Sequence, residues 1–128
     1  MEANILTIEA EPDPNLTKNK RRSLNRYQEA ELVKKEREIG YILGMQAKFK
    51  KEDWKCLESC DINIHFYYSN RPIDYDGLAV MVAPIIDGLV DAGIMKDDNP
   101  NVIKYYRMRM EKVAKRSERR VVITVKEV

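Results

Sequence analysis

Two aspartate pairs are the residues of this chain whose type and spacing can do chemistry. Asp74 and Asp76 flank a single tyrosine, and Asp97 and Asp98 are adjacent. At an extended strand end, side chains two residues apart point the same way and lie about 7 Å apart along the chain, close enough to share a cation. A plainer use is open to the same residues. Surface helices carry aspartates, and Asp97-Asp98-Asn99-Pro100 is an ordinary turn sequence whose side chains bond their own backbone. Carboxylates gathered without a cation repel one another and raise each other's pKa, so a functional cluster calls for a metal.

The elements that must position these pairs can be read from hydropathy. Between them, at 100° per residue, Leu78, Met81, Val82, Ile85, Ile86 and Leu89 fall on one side, and Asp76, Val80, Ala83, Asp87 and Asp91 on the other. That is an amphipathic helix with an acidic stripe. Pro84 either kinks it or opens a second helical segment, and Gly93 is placed to stop it with a positive φ. Upstream, Asn4 to Ala10 alternates as a strand, with Leu6, Ile8 and Ala10 on one face. Ser23 to Lys50 reads as a long helix capped by Ser23, with Leu32, Ile39, Ile42 and Leu43 on one side. Asp61 to Tyr68 alternates as a half-buried strand, with Ile62, Ile64, Phe66 and Tyr68 inward and His65 on the polar face. Val102 to Met110 alternates again. Glu111 to Arg119 reads as a hairpin loop, and Val121, Ile123 and Val125 form the inner face of a last strand. Trp54 is expected to pack as a lid on the core.

The order Asp-x-Asp-Gly-Leu, a helix carrying Asp-Gly-Leu-x-x-Ala-Gly, and then Asp-Asp resembles the RusA-type Holliday junction resolvases of phages and prophages. The resemblance is strongest from Arg71 to about Val102. It implies an α+β domain spanning residues 1–128, in the order strand, helix, strand, helix, strand, strand, with one four-stranded mixed sheet and helices packed on it. A plain α/β sandwich is the alternative. The implied activity is Mg²⁺-dependent cleavage of four-way DNA junctions in recombination and repair, by a homodimer that cuts two strands symmetrically. Asp74, Asp76, Asp97 and Asp98 would be the catalytic set. Asp74, Asp76 and one of the last pair, Asp98 in the first instance, would be the metal ligands. An all-aspartate set favours a hard cation, Mg²⁺ or Mn²⁺, over zinc. Two positions depart from the family: Gly77 stands where asparagine is frequent, and Ala83 where a lysine stands. A relative on the same fold that binds DNA without cutting it is therefore the second reading, and a structural or regulatory protein is the third.

The remaining residues bound these readings. At 128 residues and a formal charge of +2, the chain suits one domain, and what matters is where its cations gather. Lys18, Lys20, Arg21 and Arg22 form one cluster, and Lys112, Lys115, Arg116, Arg119 and Arg120 another. With Arg71 they are candidates for gripping DNA phosphates, Lys115 and Arg116 foremost in the second cluster, or else a solvated surface. Cys56 and Cys60, with one histidine in the chain, make no zinc set and read as reduced thiols near a helix end or turn. His65 has no evident nucleophile or carboxylate partner nearby in sequence. The longest apolar run, Leu78 to Ile86, is about half a membrane span. The expectation is a cytoplasmic, intracellular protein, plausibly of phage origin, with branched DNA as partner and neither a membrane nor a small-molecule substrate.

Overall fold

A computed structural model of the chain describes residues 4–11, 13 and 24–128. The basic cluster Lys18, Lys20, Arg21 and Arg22 and the expected cap Ser23 lie outside the described residues. Four strands, β1 (Ile5–Ala10), β2 (Cys60–Tyr68), β3 (Ile103–Lys112) and β4 (Arg120–Glu127), and two helices, α1 (Arg26–Lys50) and α2 (Tyr75–Asp91), alternate in the order β1-α1-β2-α2-β3-β4. The class is the expected α+β with a four-stranded mixed sheet. The strand order is β1-β4-β2-β3, with β2 and β3 parallel and the other neighbours antiparallel.

Alternation does what it predicts in β1, β2 and β4, where every second residue is buried. Leu6 and Ile8, Ile62, Ile64 and Phe66, and Val121, Ile123 and Val125 make the covered face of the sheet. Leu78, Val82, Ile85 and Leu89 of α2 complete the core. The two helices close on each other through glycine. A Cβ at Gly40 would lie 2.2 Å from the Ile85 carbonyl oxygen, and one at Gly88 2.2 Å from that of Arg37. Only residues without a side chain let the backbones approach so closely.

Several expectations are corrected. Asn25, not Ser23, caps α1, in a reciprocal box with Gln28. The buried face of α1 is Glu36, Gly40 and Gly44, whereas Ile42 is exposed, because the close crossing rotates the small residues inward. Segment 111–119 is not a hairpin loop, since β3 and β4 are not paired: the chain passes over the end of β2 through a 3₁₀ turn (Arg116–Glu118). Cys60 opens β2 rather than lying in a turn, and its thiol is pushed up to about 11, first by burial and then by Asp61. Pro84 is accommodated inside an unbroken α2. Gly93 holds the anticipated positive φ of 78°. Trp54 packs against the core and donates from Nε1 to the Ile94 carbonyl at 3.2 Å. Among the described residues, no helix is long and apolar enough to cross a membrane.

Candidate functional site

The parallel pair β2 and β3 fixes where the first aspartates stand. Tyr68 ends β2 opposite Lys112 of β3, and the Val113 amide donates to the Tyr68 carbonyl at 2.7 Å. Arg71 and Pro72 then lead to α2, whose N-cap is Asp74: its Oδ1 accepts from the Gly77 amide at 3.0 Å. A Cβ at residue 77 would stand 2.9 Å from that oxygen, so glycine keeps the cap unhindered. Asp76 lies in the first turn, where the helix dipole favours a negative charge. Both carboxylates are exposed, and so is Arg71.

The second basic cluster lies at the same end of the sheet. Arg116 is in the 3₁₀ turn that follows β3, and Lys115 precedes it, its amide donating to Glu118 Oε1 at 3.0 Å. Arg120 returns the chain to β4 opposite Tyr67, with its guanidinium 4.0 Å from the centre of that ring. Arg71 and the Lys115–Arg116 turn therefore both follow the carboxyl ends of the two parallel strands, the place where ligands gather in open sheets with parallel strands.

Asp97 and Asp98 stand elsewhere. Asp97 is engaged in its own turn, accepting from the Asp98 amide at 2.8 Å and from Asn99 Nδ2 at 3.0 Å. Asp98 folds back on the last turns of α2, within hydrogen-bonding reach of Asp87. Burial first and this contact second raise the Asp87 pKa. Beside them Arg37 of α1 clamps Asp91 through two bonds of 2.6 and 2.9 Å, which holds the Asp91 carboxyl below its ordinary value. Shielding from solvent first and the Asp98 charge second push the Tyr106 hydroxyl up to about 12.

Eleven residues of one helix separate Asp76 from Asp87, about 16 Å at 1.5 Å per residue. One cation therefore does not reach Asp76 and Asp98 together. Among the described residues, no three His, Cys, Asp or Glu side chains form a group able to hold a metal. The expected four-aspartate constellation is thus divided: Asp98 meets Asp87, while Asp74 and Asp76 stand not at an extended strand end with parallel side chains but at the N-cap and in the first turn of α2, where residues two apart do not face each other. Asp87 and Asp91 are visible in the sequence as an i,i+4 acidic stripe, but no spacing there says that Asp98 or Arg37 meets them. Ala83 lies on the same stripe, exposed, and about 6 Å along the axis from Asp87 against about 10 Å from Asp76. A lysine there would stand nearer Asp87 and Asp98. Lys96, the cation next to Asp97 in the sequence, is paired with Glu58 at 2.8 Å. His65 stacks on Tyr67 with ring centres 4.1 Å apart and does find a carboxylate, Glu111, 3.6 Å away across the β2–β3 pair. Compared with models of protein families and with curated proteins, the chain matches none.

Proposed function

We propose that the protein binds the sugar-phosphate backbone of branched DNA at the α2 N-terminal end of its sheet, and that Asp74 and Asp76 serve Mg²⁺-dependent phosphodiester hydrolysis there. What supports this reading is that Asp74, Asp76, Arg71, Lys115 and Arg116 all lie in segments that follow the carboxyl ends of the parallel strands β2 and β3. The donor set fits Mg²⁺ in one form only. Two carboxylates with waters and phosphate oxygens make an ordinary Mg²⁺ site, whereas a set of three that includes Asp98 does not fit the separation along α2. A bound divalent cation would supply a more acidic water and charge neutralisation at the scissile phosphate. The chain's own residues do the rest. Arg71, Lys115 and Arg116 position the backbone without reading bases, and the Asp74 cap fixes the start of the helix whose first turn carries Asp76.

Binding without cleavage is the second reading, favoured by the distance between Asp76 and Asp98 and by Ala83 in place of a lysine. A synthetic four-way junction incubated with Mg²⁺ or Mn²⁺ decides between them. The first reading requires cleavage that Asp74→Asn and Asp76→Asn each abolish while binding persists. Binding by the parent with no cut product leaves the second, and no binding at all removes both.

A further inference from the structure

β3 is an edge of the sheet. Among the described residues it pairs with β2 on one side and with no strand on the other, and its one backbone bond outside that ladder runs from the Ile103 amide to the Asn99 carbonyl at 2.9 Å. The ten residues Ile103–Lys112 therefore present a row of free N–H and C=O groups about 33 Å long, a ready template for an added strand. Charge ordinarily guards such an edge, and Lys104 and Lys112 near its two ends do so here. The side chains between them do more.

The register with β2 sorts these side chains onto two faces. Tyr106, Met108 and Met110 pair with Ile62, Ile64 and Phe66 and so continue the helix-covered face outward, the tyrosine 41% exposed and the methionines half-buried. Methionine repacks readily around an arriving apolar group. Tyr105, Arg107, Arg109 and Glu111 stand on the bare face. Arg107 and Arg109 are 56% and 74% exposed and lie 3.7 and 3.6 Å from the carboxylates of Asp61 and Glu111, too far for a hydrogen bond. Along the strand one acid stands among four cations.

We propose that the free edge of β3 takes up an extended acidic segment of a protein partner as a fifth strand, with alternating apolar and acidic residues. Main-chain bonds to the edge supply the attachment, and the two faces supply the selection. Apolar side chains of the added strand cover Tyr106, Met108 and Met110, and its carboxylates stand beside Arg107 and Arg109. The Asp98 charge felt at Tyr106 disfavours acids on the helix side, so the two kinds of residue are held to opposite faces. A second copy does not meet this requirement, because two β3 edges laid side by side bring the arginines of both copies together, and like charges across neighbouring strands repel. The inference rests on β3 alone and needs neither metal nor DNA, so its failure and that of the nuclease reading are separate results.

The probe is a peptide of about ten residues that alternates valine and glutamate, matched in length to the edge. The full chain, labelled with nitrogen-15, is titrated with it to about 1 mM, because ordering an extended peptide consumes much of the gross interaction. Saturable shifts are expected at β3, and at about 90% occupancy alternate amides between residues 104 and 112 are expected to exchange on the order of tenfold more slowly. Arg107→Glu with Arg109→Glu is expected to weaken the glutamate peptide by roughly tenfold or more and to admit one with lysine in place of glutamate, with circular dichroism unchanged. No binding at about 1 mM overturns the proposal. So does binding that the charge reversal leaves unchanged, or that slows exchange at no β3 amide. Slower exchange at the same amides on raising the protein concentration alone makes a second copy the occupant and overturns it too, as does a single-stranded oligonucleotide held by these arginines where the peptide is not.

Discussion

Replacing Gly88 by alanine tests whether the α1–α2 crossing, which holds the two carboxylate pairs apart on one rigid helix, is as close as described. The new Cβ would sit 2.2 Å from the Arg37 carbonyl oxygen and 2.5 Å from the Tyr41 amide nitrogen. Moving the first of these out toward the ordinary 3.5 Å parts the helices by roughly 1 Å along this approach. Overpacking of this kind costs about 1–3 kcal/mol, and the upper half applies because both neighbours are backbone and no rotamer relieves them. Alanine's better helix propensity returns about 1 kcal/mol. A net loss near 1.5 kcal/mol lowers the melting temperature of a chain this size by about 4–8 °C. Gly44→Ala is the control. Its Cβ would meet the Ala92 Cβ at 2.9 Å and Leu89 Cδ2 at 3.1 Å, side-chain atoms of which the leucine can give way, so its melting temperature should fall less. Differential scanning calorimetry of the three proteins reads the outcome. Gly88→Ala melting at or above the parent would refute the close crossing.

Three further outcomes follow from the site. Asp74→Asn should keep the fold and melting temperature, since asparagine caps a helix as well as aspartate does, while Asp74→Ala should cost about 1 kcal/mol in urea unfolding. Asp87 has a raised pKa, so the folded state binds its proton more tightly than the unfolded one does. That contribution is full below the ordinary carboxylate value and is lost as pH rises through the folded one. Asp87→Asn should therefore be the more stable protein at neutral pH, with the gain vanishing under acid, as urea midpoints across pH would register. Replacing Arg71, Lys115 and Arg116 together by alanine should reduce the slope of log affinity against log salt for junction DNA by roughly 0.9 for each phosphate no longer neutralised. The melting temperature should barely change, because all three side chains are exposed.

Where side-chain period and burial coincide, the fold is legible in the sequence. β2 alternates because one sheet face is covered and the other is not, and the α2 stripe from Leu78 to Leu89 is apolar because it lies on that covered face. Long-range pairing has no such local signature. Nothing within residues 102–127 says that β4 leaves β3 to insert between β1 and β2, so two successive strands read naturally as a hairpin. Nothing local in the sequence says that Gly40 meets Gly88 or that Gly44 meets Ala92 and Leu89, and an apolar count that ignores these glycines puts Ile42 on the wrong side. The aspartates divide the same way. Asp74 is identifiable from its place before a helix, whereas the position of Asp98 depends on how the chain turns after Gly93, which spacing does not encode.

The most direct test of the central claim is the position of Mn²⁺ in crystals soaked with that ion, located by anomalous scattering. The account predicts an ion against Asp74 and Asp76 at the N-terminal end of α2, with its remaining positions open to water and phosphate. An ion held instead by Asp87 and Asp98, or no ion at Asp74 and Asp76 at a concentration that supports cleavage, would contradict it.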